Sequence, residues 1–221
     1  MRILALPHSL NILDYPARFQ FGQVGAPCVG KSCCTDTCMQ MIVEYYKEKT
    51  YTLASIRRLA EAKTNFNEDP CTGLNYIEAL NALSALGLSH YKVAFGINAG
   101  FVANKTLIGP VLVGVHYGSY PNSVGGRCGT INKAEISGKT DCPFKGAHAI
   151  LAIKRLEHVV NGVTHIDVLT RDPDHSSPAR PEKPRFDKIK LAQLNLAIQN
   201  LPKLTAFTQT FCIYPTTKKT L

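Results

Sequence analysis

The chain is read most readily from the spacing of its apolar residues. Met39, Ile42, Val43 and Tyr46 recur at i, i+3, i+4 and i+7, which predicts a helix over Thr35–Lys47 that begins at or just after Cys34. Thr52 is placed to cap a second helix whose apolar face is Leu53, Ile56, Leu59 and Ala60. A third follows Gly73, with Ile77, Leu80, Leu83 and Leu86 expected inward and Gly87 as its stop. The first thirty or so residues read as extended and loop-like.

Beyond Gly87 the period changes. His90–Phe95 reads as a strand, and Val111–Val115, after Gly109-Pro110, as a buried one. Ala147–Ile153 and Val163–Thr170 bracket Asn161-Gly162, a dipeptide that favours a two-residue hairpin turn. Leu191–Leu201 reads as a helix and Ala206–Tyr214 as a closing strand, with a Pro-rich loop over Ser177–Pro184. Residues 118–146 and 96–108 are expected to be loops, and the first is long enough to suggest a functional or stapled segment. Helices first and antiparallel strands after them give an α+β fold: one domain over 1–221, helical over about 15–95 and sheet-forming over about 96–221.

Composition changes this picture little. At 221 residues, 45% hydrophobic and 19% charged, the chain can bury an ordinary core. No apolar window is long enough to span a membrane, and the start lacks a clear leader with a cleavage site. Synthesis in the cytoplasm is therefore expected, with any export by a leaderless route. The net charge of +9 favours anionic partners in general, but no basic run interleaved with aromatics points to specific nucleic-acid binding.

Eight cysteines do change it. They stand at 28, 33, 34, 38, 71, 128, 142 and 212. Bridges, a metal cluster and buried thiols are all open readings, but Cys28, Cys33 and Cys38 do not have the spacing of paired zinc knuckles. Cys34 stands apart because it lies at the mouth of a helix. There the macrodipole and unpaired N–H groups favour a thiolate, and the backbone N–H of Cys34 can face a developing oxyanion.

The segment from Cys33 to Tyr46 resembles the nucleophile helix of bacterial papain-like cysteine peptidases, including those that trim double-glycine leaders and papain-like effector proteases. Cys34, Cys38, Met41, Ile42 and Tyr45-Tyr46 fall on that pattern, with Thr37 where Ala is usual. Gly109-Pro110-Val111, Gly146-Ala147-His148 and Arg171-Asp172-Pro173 are similar to the later motifs, in the same order. The resemblance implies a papain-like fold and a triad of Cys34 as nucleophile, His148 as base and Asp172 as the group that orients the histidine, with no cofactor. It also implies a glutamine donating to the oxyanion. Gln23, eleven residues before Cys34, is preferred to Gln20, fourteen before it.

The implied activity is hydrolysis of an amide bond in a peptide, a protein or a peptidoglycan cross-link, or deamidation of glutamine. Such an enzyme suits a secreted bacterial effector or toxin, with an inhibitor or immunity protein as partner. The competing reading is a non-catalytic, cysteine-rich binding module in which Cys34 is structural. Cys33 is the rival nucleophile, and Asp174 the rival carboxylate.

Strand register sets a condition. A two-residue turn pairs Val160 with Val163, which puts His148 and Asp172 on opposite faces. The triad therefore requires a longer turn, a bulge, or an Asp172 lying beyond the regular strand.

Overall fold

The computed structural model describes residues 34–49, 51–62, 74–120, 147–173, 187–205 and 207–219. Five α-helices lie among them: α1 (Cys34–Lys47), α2 (Leu53–Glu61), α3 (Tyr76–Ala85), α4 (Ala99–Lys105) and α5 (Leu191–Leu204). Six strands, β1 (Tyr91–Phe95), β2 (Val111–His116), β3 (Ala147–Val160), β4 (Val163–Arg171), β5 (Asp187–Lys190) and β6 (Phe211–Pro215), form one sheet in the order β1-β6-β2-β3-β4-β5. Every neighbouring pair is antiparallel. The architecture is the α+β class expected.

Local chemistry sets most of the helix ends. Thr52 accepts from the Ser55 N–H at 3.1 Å and caps α2. Asn75 and Glu78 form a reciprocal capping box at α3, and Gly87, with φ of +77°, lies just past its other end. Asn98 caps α4 through the Phe101 N–H at 2.9 Å.

Two cores flank the sheet because strand side chains alternate. Leu112, Leu151 and Ile213 meet α1–α3 through Met39, Ile42, Ile56 and Leu83. Val113, Ile150 and Val168 meet α4 and α5 through Val102, Leu194 and Ile198. Residues 96–108, expected as a cleft-lining loop, therefore carry a helix in the second core. Asn98 was the available signal, and seven residues gave too little periodicity to read. Ile77 is also corrected: it is 51% exposed, since Ala79, Ala82 and Leu83 form the inward face and Ile77 lies about 200° round the helix from Ala79. β1 joins the sheet beside β6, so the sheet draws on residues before 96.

Helix α1 is more deeply enclosed than its apolar stripe suggests, for Asp36 through Glu44 are all buried. Its polar positions recur every fourth residue and are met by α2 and the chain before it. Asp36 lies 3.8 Å from Arg57, Gln40 donates to the Tyr51 carbonyl, and Glu44 accepts from the Tyr51 N–H at 3.4 Å. For Gln40 and Glu44 these hydrogen bonds keep the cost of burial small.

Candidate active site

Strand β3 decides which residues meet. The Asn161-Gly162 turn is the two-residue kind: φ is positive at both positions, +51° and +76°, and Val160 pairs with Val163. The ladder then runs regularly to Lys154–Leu169, where a bulge leaves Ile153 without a partner, and resumes at Ala152–Thr170 and Leu151–Arg171. The extra residue reverses the parity. Continuing that register puts Asp172, one residue past β4, opposite Ile150, which shares the side of β3 that His148 occupies. His148 Nε2 accordingly donates to Asp172 Oδ1 at 2.7 Å, with both side chains buried.

Cys34 reaches the same place from the first turn of α1. Its thiol hydrogen-bonds His148, and because Nε2 is engaged by Asp172, Nδ1 is the ring nitrogen left to face it. The thiol is partly accessible, whereas Cys38, one turn on, is fully buried and donates to the Ala149 carbonyl at 3.5 Å. Cys34, Cys38 and Cys212 are free thiols. Tyr117, just after β2, packs its ring 4.5 Å from the His148 ring at 58° and covers the imidazole. No spacing signal marked Tyr117, because its contact depends on how β2 and β3 are aligned.

The electrostatics separate the two cysteines of α1. Burial works to raise the Cys34 thiol, but the hydrogen bond and charge of His148, helped by a backbone hydrogen bond from Ala149, outweigh it and leave the thiol below its ordinary 9.0. The nearby Asp36 charge works the other way. Cys38 is pushed well above 9.0 by burial first, then by the charges of Cys34, Asp172 and Asp36. For His148, burial works to lower the pKa, but the charge and hydrogen bond of Asp172, and then those of Cys34, raise it to about 10. Cys34 and His148 thus favour a thiolate–imidazolium pair, with Asp172 steadying the cation.

Gln23, Gln20, Cys33 and Asp174 lie outside the described residues, as do Cys28, Cys71, Cys128 and Cys142. Among the described residues, no cluster of His, Cys, Asp and Glu is suited to holding a metal ion, and no helix is long and apolar enough to cross a membrane.

Comparison with known proteins places the fold. No family model matches the chain, and no curated protein matches its sequence. Among solved structures, the chain is similar to a provisionally assigned C39-like peptidase from Bacillus anthracis, with a TM-score of 0.52 and 13% identity over 94% of this chain and 98% of the other. At that identity the likeness speaks for the fold, which is α+β and papain-like.

Proposed function

We propose that the chain is a papain-like cysteine hydrolase that cleaves an amide bond, with Cys34 as nucleophile, His148 as general base and acid, and Asp172 as the residue that holds the imidazole. The reading is supported by one arrangement: the buried imidazole of His148 meets Asp172 through Nε2 at 2.7 Å and interacts with the thiol of Cys34 as well. A structural thiol needs no such partner, and Cys38 on the same helix has none of it.

In the proposed sequence the Cys34 thiolate attacks the carbonyl carbon and the negative charge moves to the carbonyl oxygen. The Cys34 backbone N–H, at the start of α1, is the candidate donor to that oxyanion. Collapse of the tetrahedral species expels the amine, which takes its proton from His148 and leaves a thioester. The neutral imidazole then draws a proton from water, hydroxide adds to the thioester, and Cys34 leaves as the thiolate. Asp172 accepts the Nε2–H hydrogen bond throughout and so fixes that tautomer. Gln23 keeps its proposed place as a second oxyanion donor.

Stoichiometric alkylation with iodoacetamide over about pH 4 to 9, mapped to each cysteine, tests this reading. Cys34 is expected to react first and to remain reactive well into acid, with the acid reactivity lost in His148→Ala. Slow alkylation of Cys34, or preferential alkylation of another cysteine, would exclude it as an activated nucleophile. A positive result would then be followed by hydrolysis assays on peptide, protein and peptidoglycan substrates, with Cys34→Ala as the inactive control.

A further inference from the structure

At the other end of the β3–β4 ribbon lies a second constellation that the proposed chemistry does not use. The ribbon outruns the sheet there. β2 pairs with β3 only as far as Ala152, and β5 pairs with β4 only over Asp167–Thr170. Among the described residues, the outer edge of β4 at Val163–Ile166 therefore has no strand beside it. An unpaired edge presents backbone N–H and C=O groups ready to bond another chain.

That edge borders a cavity of ≈ 860 Å³ closed on its far side by the starts of α4 and α5. Thr164, His165 and Ile166 all line it. Consecutive strand residues point to opposite faces, so the cavity meets the strand along its edge and not over one face. Lys188, Lys190, His158 and His165 also line it. Asp167 is the one acidic side chain in the lining, and its Oδ2 is already 3.2 Å from Lys188 Nζ and 3.6 Å from His158 Nδ1. Lys190 and His165 are exposed. Ile166 and Leu191 add apolar surface within the same groove.

We infer that this groove binds an extended, acidic peptide segment of a partner protein, which adds to the free edge of β4 as a further strand. Main-chain bonds to residues 163–166 would supply the common part of the affinity, Lys190, His165 and Lys188 the preference for Asp and Glu, and Ile166 and Leu191 a seat for an apolar side chain between them. The free edge at Val163–Ile166 lies six to nine residues from Asp172 along the chain, roughly 20–30 Å at about 3.3 Å per residue, so it is distinct from the Cys34–His148–Asp172 centre. The inference stands whether or not that centre is catalytic.

Fluorescence anisotropy of the full-length chain with a short labelled peptide of alternating Glu and Val tests it. The controls are a Lys–Val twin, a Glu–Val peptide N-methylated at alternate residues, and inorganic phosphate as competitor. The acidic peptide is expected to bind, to weaken with salt, and to lose about tenfold or more in affinity to Lys190→Glu/His165→Glu. One of the two N-methylation registers should also abolish binding, with amide shifts confined to 163–166 and the adjoining groove in spectra of the labelled protein. Failure of the acidic peptide to bind, or equal binding of the Lys–Val twin, would overturn the inference. Unchanged binding of both N-methylated registers would exclude strand addition, and complete displacement by phosphate would reduce the groove to a small-anion site. Because both substituted residues are exposed, an unchanged melting temperature separates lost binding from lost fold.

Discussion

At the hairpin end of the β3–β4 ribbon, Val160 faces Val163 across a two-residue turn, and the pairing runs regularly back to Lys154–Leu169; at the other end, past the unpartnered Ile153, the same two strands bring His148 and Asp172 into contact. The hairpin end is exposed, with Val159 and Val163 both open to solvent, and the other end is buried under Tyr117 and α1. The regular end follows from two residues, since Asn and Gly tolerate the positive φ the turn requires. The irregular end depends on where one extra residue is absorbed along fourteen residues of β3. A bulge inverts the face of everything beyond it, and here that inversion makes the candidate site.

The sharpest way to break this contrast is at the buried end: in His148→Ala hydrolysis is expected to fall roughly 10²–10⁴-fold while the hairpin end stays as it is. Deleting Ile153 tests the register. It removes the extra residue but leaves Ala152 opposite Thr170 and Leu151 opposite Arg171, so His148 stays on the side of Asp172 and hydrolysis should survive in a regular ladder. Ile153→Val keeps the residue count and hence the bulge, and should cost about 0.5–1.5 kcal/mol of stability with the rate near that of the native chain. Circular dichroism of the deletion variant would show whether the sheet persists, and a loss of activity in a folded deletion variant as deep as in His148→Ala would contradict this register.

A smaller effect is expected from Asp172→Asn. The rate should fall roughly a hundredfold or more, and the alkaline limb of the pH profile, set near 10 by His148, should move down. Stability follows the same group. A histidine held at about 10 in the folded chain, against an ordinary 6.5, contributes fully below about 6.5, and that contribution is lost as pH rises through about 10. The native chain should therefore melt above Asp172→Asn in mild acid, and the gap should close between those two values. A gap that widened with pH would contradict the imidazolium–carboxylate pair.

The smallest effect belongs to the regular end. In Gly162→Ala a Cβ would meet nothing within 4 Å, so only the positive φ resists it. Thermal unfolding should report a loss of about 1 kcal/mol, with hydrolysis unchanged. A marked loss of activity would show that the hairpin turn governs the distant register after all.

Much of this was legible in the residues because it is local. The stripe over Met39–Tyr46, the Thr52 cap, the Gly87 stop and the Asn161-Gly162 turn each act within a few residues of themselves, so the sequence already contains their physics. The order of Cys34, His148 and Asp172 was legible only through the resemblance of their motifs to those of papain-like peptidases, since no local rule joins residues so far apart in the chain. Tertiary structure decided what depends on residues far apart in the chain. It placed the bulge at Ile153, set Tyr117 against His148 and buried the Asp36–Gln40–Glu44 stripe against α2 and Tyr51. It also made Ile77 a surface residue and gave α4 its place in the second core. Two thiols on one helix show the division most directly. Cys34 and Cys38 are the same residue type one turn apart, and only the imidazole brought in by β3 leaves one below its ordinary pKa while burial drives the other above it.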